Sequence, residues 1–173
     1  MENQTSSKNT ILNYGLYLGI ISVLVSLVVY AMGNHVKPHW SVSVINIVIM
    51  LTMIVMGMNK FKSDNNGFMS WGQAVKIGVG LTVVSTVIVI IYNQLFINFI
   101  EPDFMQQVMQ VQEQSWIDSG MTSEGVESAK EMMQKFQGPL ISSAVGLVVA
   151  AFIGFVVSAI IGAILKNSAE EQY

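Results

Sequence analysis

The chain has 173 residues, 52% of them hydrophobic and 11% charged, which bounds it to one domain of unusually apolar composition. All 8 of its basic residues are lysines and the net charge is −3, so it carries no basic surface for nucleic acid. The absence of cysteine excludes disulfides, zinc–thiolate sites and thiol catalysis, and leaves 12 methionines and 2 histidines as soft-metal candidates.

A polar stretch, Met1 to Asn9, holds Lys8, and from Asn9 to Asn34 no charge appears. Residues 11–32 read as a first membrane-spanning helix. Val29-Tyr30-Ala31 resembles a signal-peptidase site, but the apolar run is too long and its basic flank too weak, so a retained helix is expected. Gly15 and Gly19, followed by Ser22 and Ser26, form a stripe of small residues suited to close helix packing.

Gly33 to Trp40 is a tight connection containing His35, Pro38 and His39. Pro38 breaks the helix that a His-x3-His ligand pair would need, so both histidines are expected in a loop at the interface rather than on a metal. A second span follows at 41–59, with Asn46 as a buried polar candidate. Its methionines at 50, 53 and 56 share one side, with Met58 round the helix from them. Thioethers bind Cu(I), but methionine is also a common filler where helices pack irregularly, and packing is the expected role here.

Lys60 to Asn66 reads as a polar turn. Ser70 and Gln73 then make a capping-box pattern, opening a third span at 72–99. Residues 101–138 are the main water-exposed stretch. Pro102 ends the preceding helix, Asp103 with Gln106 suggests another cap, and Ser119-Gly120 divides two amphipathic helices, the second starting near Thr122 or Ser123. A helical hairpin is the simplest arrangement.

The last span, 139–165, contains no charge and places Ser142, Gly146, Ala150, Gly154, Ser158 and Gly162 at every fourth position. Its roughly 40 Å of helix crosses a bilayer with some tilt. Each rung of four drifts about 40° round the helix, so one straight partner cannot follow the whole ladder. Packing within the chain's own bundle is favoured over a face for self-association. The helix-packing residues singled out are therefore Gly15, Gly19, Gly146, Ala150, Gly154, Ser158 and Gly162.

The expected fold is an all-α integral membrane protein, a single domain over 1–173 with four transmembrane helices and an extracytoplasmic helical hairpin between the third and fourth. Lys8, Lys60, Lys62, Lys76 and Lys166 fall on one side of such a membrane, and Lys37, Lys130 and Lys135 on the other. That bias predicts a cytoplasmic-membrane protein with both termini in the cytoplasm.

The segment Gly67-Phe68-Met69-Ser70-Trp71-Gly72-Gln73-Ala74-Val75-Lys76-Ile77-Gly78 resembles the start of the third helix in a bacterial membrane family catalogued as domain of unknown function 4199. Pro102-Asp103-Phe104-Met105, the Met- and Glu-rich helical insert and the proline before the last helix are similar as well. The resemblance implies four membrane helices. It implies no activity, substrate or catalytic residue.

Both histidines sit in one short loop and no acidic residue lies within a span, so no nucleophile–base–orienter set and no ion-coupling carboxylate is visible. No cofactor and no metal site is expected, and the residues favour a non-enzymatic structural or partner-binding membrane protein. The second hypothesis is a small transporter or channel for an uncharged solute or soft metal, with Asn13, Asn46, Thr52, Thr82, Ser85 and Thr86 as the polar set that would line it. The expected partners are the lipid bilayer, a second copy through the last helix, and a protein at the external hairpin.

Overall fold

Ser70 accepts from the Gln73 backbone N–H at 3.3 Å while the Gln73 side chain accepts from the Ser70 N–H at 2.8 Å, so the third long helix starts where its capping box dictates. The computed structural model describes residues 6–136 and 138–167. Its helices are α1 (Ser7–Ala31), α2 (Trp40–Asp64), α3 (Trp71–Leu95), α4 (Phe104–Asp118), α5 (Ser123–Phe136) and α6 (Pro139–Leu165). A π-helical turn, Phe96–Ile100, prolongs α3. Four of these segments, α1, α2, α3 with its π turn, and α6, are long and apolar enough to cross a membrane.

Several boundaries differ from those expected. The polar turn over Lys60–Asn66 is instead helix as far as Asp64. Phe61, 1% exposed, anchors that extra turn, and Lys60 pairs with Asp64 at 2.6 Å on its surface. The reversal comes afterwards, at Asn66 and Gly67, where φ is 53° and 87°. The Asp103 side chain makes no cap bond to α4, so that expected pattern is absent; Glu101 takes a bond from Gln107 at 2.8 Å instead.

Helix α3 is the centre of the bundle, with its broadest contacts to α6 and α1. On the α1 side a Cβ added at Gly15 would lie 2.7 Å from Val84, and one at Gly19 would lie 2.6 Å from Ile88. On the α6 side, one at Gly162 would lie 2.6 Å from Ala74, one at Gly154 would collide with Thr82, and Ser158 fills the space over Gly78. Small residues thus let backbones approach closely, a main source of attraction between helices in hydrocarbon.

Helix α2 lies across this triplet and touches α6 sparingly. Ile54, Met58, Phe61, Met69, Ala74, Ile77 and Leu81 form a core at the end of the bundle that holds Lys60, Lys62 and Lys166, here called the lysine end. The same end is tied by an isolated antiparallel bridge between Met69 and Asn167, with both backbone bonds at 3.0 Å. Trp71 Nε1 also donates to the Ala159 carbonyl at 3.0 Å. At the opposite end α4 and α5 lie against each other, with Lys130 and Glu113 paired at 3.1 Å and Val126 buried.

Candidate functional site

The lower rungs of the α6 ladder press on α3 and the upper ones do not. Gly154, Ser158 and Gly162 are buried in that contact, whereas a Cβ at Gly146 would meet nothing within 4 Å. Ala150 is half-buried and, with Gly146, faces open space. The drift of the stripe is the physical cause, because about 40° per rung turns Gly146 well away from the helix that Gly162 touches.

The space so left is a cleft of about 380 Å³ among α1, α2, α3 and α6. Ser22 and Ser26 line it from α1, Asn46 and Met50 from α2, Thr82, Ser85 and Thr86 from α3, and Gly146 and Ala150 from α6. It continues between α3 and α6 as a groove of about 540 Å³ that reaches Asn93, Gln94, Asn98, Ser142 and Ser143, with Thr86, Val89 and Gly146 common to both. No side chain lining either space is ionisable. Towards the lysine end the interior is filled by Ile54, Met58, Ile77 and Leu81, each 0% exposed. Hydroxyl and amide side chains, set among apolar neighbours such as Leu18, Val89 and Ile153, therefore run from mid-bundle to one end and stop at an apolar plug.

Many of the lining hydroxyls bond to their own helix. Ser26 donates to the Ser22 carbonyl at 3.0 Å, Thr82 to Val79 at 2.9 Å and Thr86 to Thr82 at 2.8 Å. Such bonds satisfy the proton but leave oxygen lone pairs facing the cleft. Of the other expected polar residues, Thr52 is exposed and bonds back to Val48 at 2.8 Å, and Asn13 is exposed on α1. Neither lines the cleft.

An aromatic chamber of about 160 Å³ adjoins this space, with Ser26 shared with the cleft and Asn93 and Phe104 shared with the groove. His35 is its centre. The His35 Nε2 lies 2.7 Å from Glu101 Oε2, its ring stacks on Phe104 at 5.9 Å, and Tyr30 meets it edge-on at 4.8 Å. Phe96 packs against Tyr30 at 5.1 Å and Phe104 at 5.5 Å. The His35 imidazole 2.7 Å away, helped by the hydrogen bond from Gln107, holds the Glu101 carboxyl below the usual carboxylate range against the opposing effect of burial.

This clasp joins the α1–α2 loop to the junction of α3 and α4, and sequence spacing gave no sign of it. His35 and Glu101 are far apart in the chain, and only the π turn and Pro102 bring the carboxylate round. His39 has a separate job, accepting from the Ser41 N–H at 3.3 Å as the N-cap of α2. The methionines do not converge either: Met58 is in the core, Met50 and Met53 pack against it, and Met56 is 47% exposed. Among the described residues no group of three or more His, Asp or Glu is placed to hold a metal ion.

A family model described as a protein of unknown function, DUF4199, matches residues 13–167. No curated protein and no solved structure matches the chain.

Proposed function

The chain belongs to the DUF4199 family, whose description assigns no activity, and from that premise we propose a non-enzymatic, multi-pass protein of the bacterial cytoplasmic membrane that admits a small uncharged solute to its interhelical cleft. The observation that carries this reading is the cleft itself, whose mostly apolar walls carry hydroxyl and amide groups and no ionisable group from mid-bundle to the α4–α5 end. An ion stripped of water needs compensating charge in such a place, whereas hydroxyl and amide groups suffice for a neutral hydrogen-bonding molecule. With the lysine distribution, both termini are cytoplasmic and the cleft opens outwards. Passage then requires the apolar plug at the lysine end to part.

Proteoliposomes test this by stopped-flow light scattering after an osmotic step with glycerol or urea. The parent should re-swell faster than protein-free vesicles. Gly146→Leu, which fills the cleft from a position with nothing around it, should return the rate to the vesicle background. Equal rates for parent and empty vesicles would overturn solute passage.

A second reading is supported by the α4–α5 segment, where Ile117, Met121, Met132 and Phe136 are 40–63% exposed. An external hairpin with that apolar side fits a structural or partner-binding role. Pull-down from native membranes, compared between the parent and a Met132→Ser/Phe136→Ser variant, distinguishes it from the cleft reading.

A further inference from the structure

We propose that the cleft takes the uncharged, hydroxyl-bearing headgroup of a membrane lipid. The headgroup enters sideways through the slot between α3 and α6, and its hydrocarbon chain trails through that slot into the bilayer. This rests on the cleft reading and adds the class of ligand and the direction of entry.

The direction comes from the walls. The outer groove is lined by α3 with its π turn, by α6, and by Phe104 and Met105 at the start of α4. No residue of α1, α2 or α5 lines it. A slot between two spanning helices, with no third helix beside it, has a flank turned to hydrocarbon. At its outer end Phe104, Met105 and Pro139 suit a lipid chain better than a hydrated solute. Inwards, slot and cleft meet at Thr86, Val89 and Gly146, and a Cβ at Gly146 would meet nothing within 4 Å. Thr82 and Asn98 lie roughly 24 Å apart along α3, more than the roughly 15 Å of half a hydrocarbon core. The track thus leads from the membrane surface to mid-bilayer.

The headgroup follows from the polar side chains. Ser22, Asn46 and Ser85 line the cleft, and none of their side chains hydrogen-bonds a described residue. Hydroxyls and an amide left without partners call for a ligand that both donates and accepts. A glycerol-type headgroup does both, and it has as many heavy atoms as benzene. The cleft's 380 Å³ is more than twice the roughly 150 Å³ cavity that takes benzene, so the headgroup fits with the first part of its chain. Ile90 and Ile97 line the exit for the rest of that chain. A phosphate would bring charge into a space where no lining cation answers it.

The test is native mass spectrometry of the full chain released from detergent micelles, with 1-monooleoylglycerol as the probe. Its 3-phosphate, identical but for the charge, is the comparison ligand. The expected result is a one-to-one complex with monooleoylglycerol, and binding of the phosphate weaker by at least about tenfold. Gly146→Leu closes the junction of slot and cleft, and Asn46→Leu removes a headgroup partner. Each should weaken the complex by about tenfold, with thermal melts showing that the variant is folded. Val148→Leu, at a position of α6 that is 70% exposed, should bind as the parent does. Parent-like binding in both Gly146→Leu and Asn46→Leu would overturn the proposal, because the lipid would then sit on the outside of the bundle. Equal binding of the phosphate would overturn it as well. Glycerol re-swelling without a monooleoylglycerol complex would overturn it and leave the cleft reading standing. A complex without re-swelling would support the headgroup site and remove only the passage of free solutes.

Discussion

The ammonium of Lys62 donates to the carbonyl oxygen of Leu165 at 3.1 Å, joining the last turn of α2 to the last turn of α6. A helix C-terminus carries unpaired carbonyls and a partial negative charge, and a cation there answers both. Asn167 adds a bond from its amide to the Gly67 carbonyl at 3.0 Å, so the loop before α3 and the end of α6 are held together.

Lys62→Met should therefore lower the thermal stability of the detergent-solubilised protein by about 1 kcal/mol, the usual size of a charge-assisted capping interaction. Lys60→Met removes only an exposed, solvent-screened pair with Asp64 and should cost less. Equal losses for the two variants would show that the capping bond contributes nothing beyond surface charge.

Gly154→Leu places a branched side chain against Thr82 and should destabilise by about 1–3 kcal/mol. Val148→Leu, on a position 70% exposed, should be near neutral. Gly146→Leu should also fold normally, which makes it a clean plug for the flux measurement. Thermal unfolding of the three variants side by side checks this order.

Topology can be read with reporter fusions at Asn65 and Gly120. They lie at opposite ends of α3 and its extension, so one should report the cytoplasm and the other the exterior. A shared compartment would remove the proposed orientation.

The carboxyl of Glu101 is held below its ordinary range by His35. Its folded value being the lower one, the stabilisation is fully present above the ordinary carboxylate range and is lost as pH falls through the depressed folded value. Midpoints of thermal unfolding should accordingly decline on acidification across that range, and Glu101→Gln should flatten the decline. A variant with the parent's full acid sensitivity would place its origin in other carboxylates.

Replacing Met50, Met53 and Met56 together by Leu should leave folding and the Cu(I) content of the purified protein unchanged, because the three do not face one another around a common centre. Copper bound by the parent and lost from the triple variant would reverse that view and make a metal the cargo.

Long apolar runs and local caps were legible in the sequence because their causes are local. Ser70 and Gln73 specify the start of α3 by themselves, and Pro102 limits how far it can run. The small-residue stripes announced close packing, and Gly15, Gly19, Gly154 and Gly162 lie against neighbouring helices. Gly146 has the same residue type and spacing, but it lines a cleft, since periodicity identifies a stripe without saying where two helices diverge. The His35–Glu101 clasp was illegible for a related reason: two residues in separate loops meet through the path of two helices, α2 and α3, and no spacing rule encodes that. The polar residues of Lys60–Asn66 read as a turn in the sequence because the end of a helix looks like a loop until the burial of Phe61 is known.

The bridge between Met69 and Asn167, with Lys62 on Leu165, fixes one foot of α6 while its other half stands clear of α3. Mechanically α6 is a lever clamped from its base to Gly154. With about 22 Å of helix beyond that point, a bend of roughly 5° there would carry Pro139 through about 2 Å while Gly162 stays in place. A displacement of that far tip, where α6 receives the chain from α5, would thus change the width of the cleft without loosening the core at the lysine end.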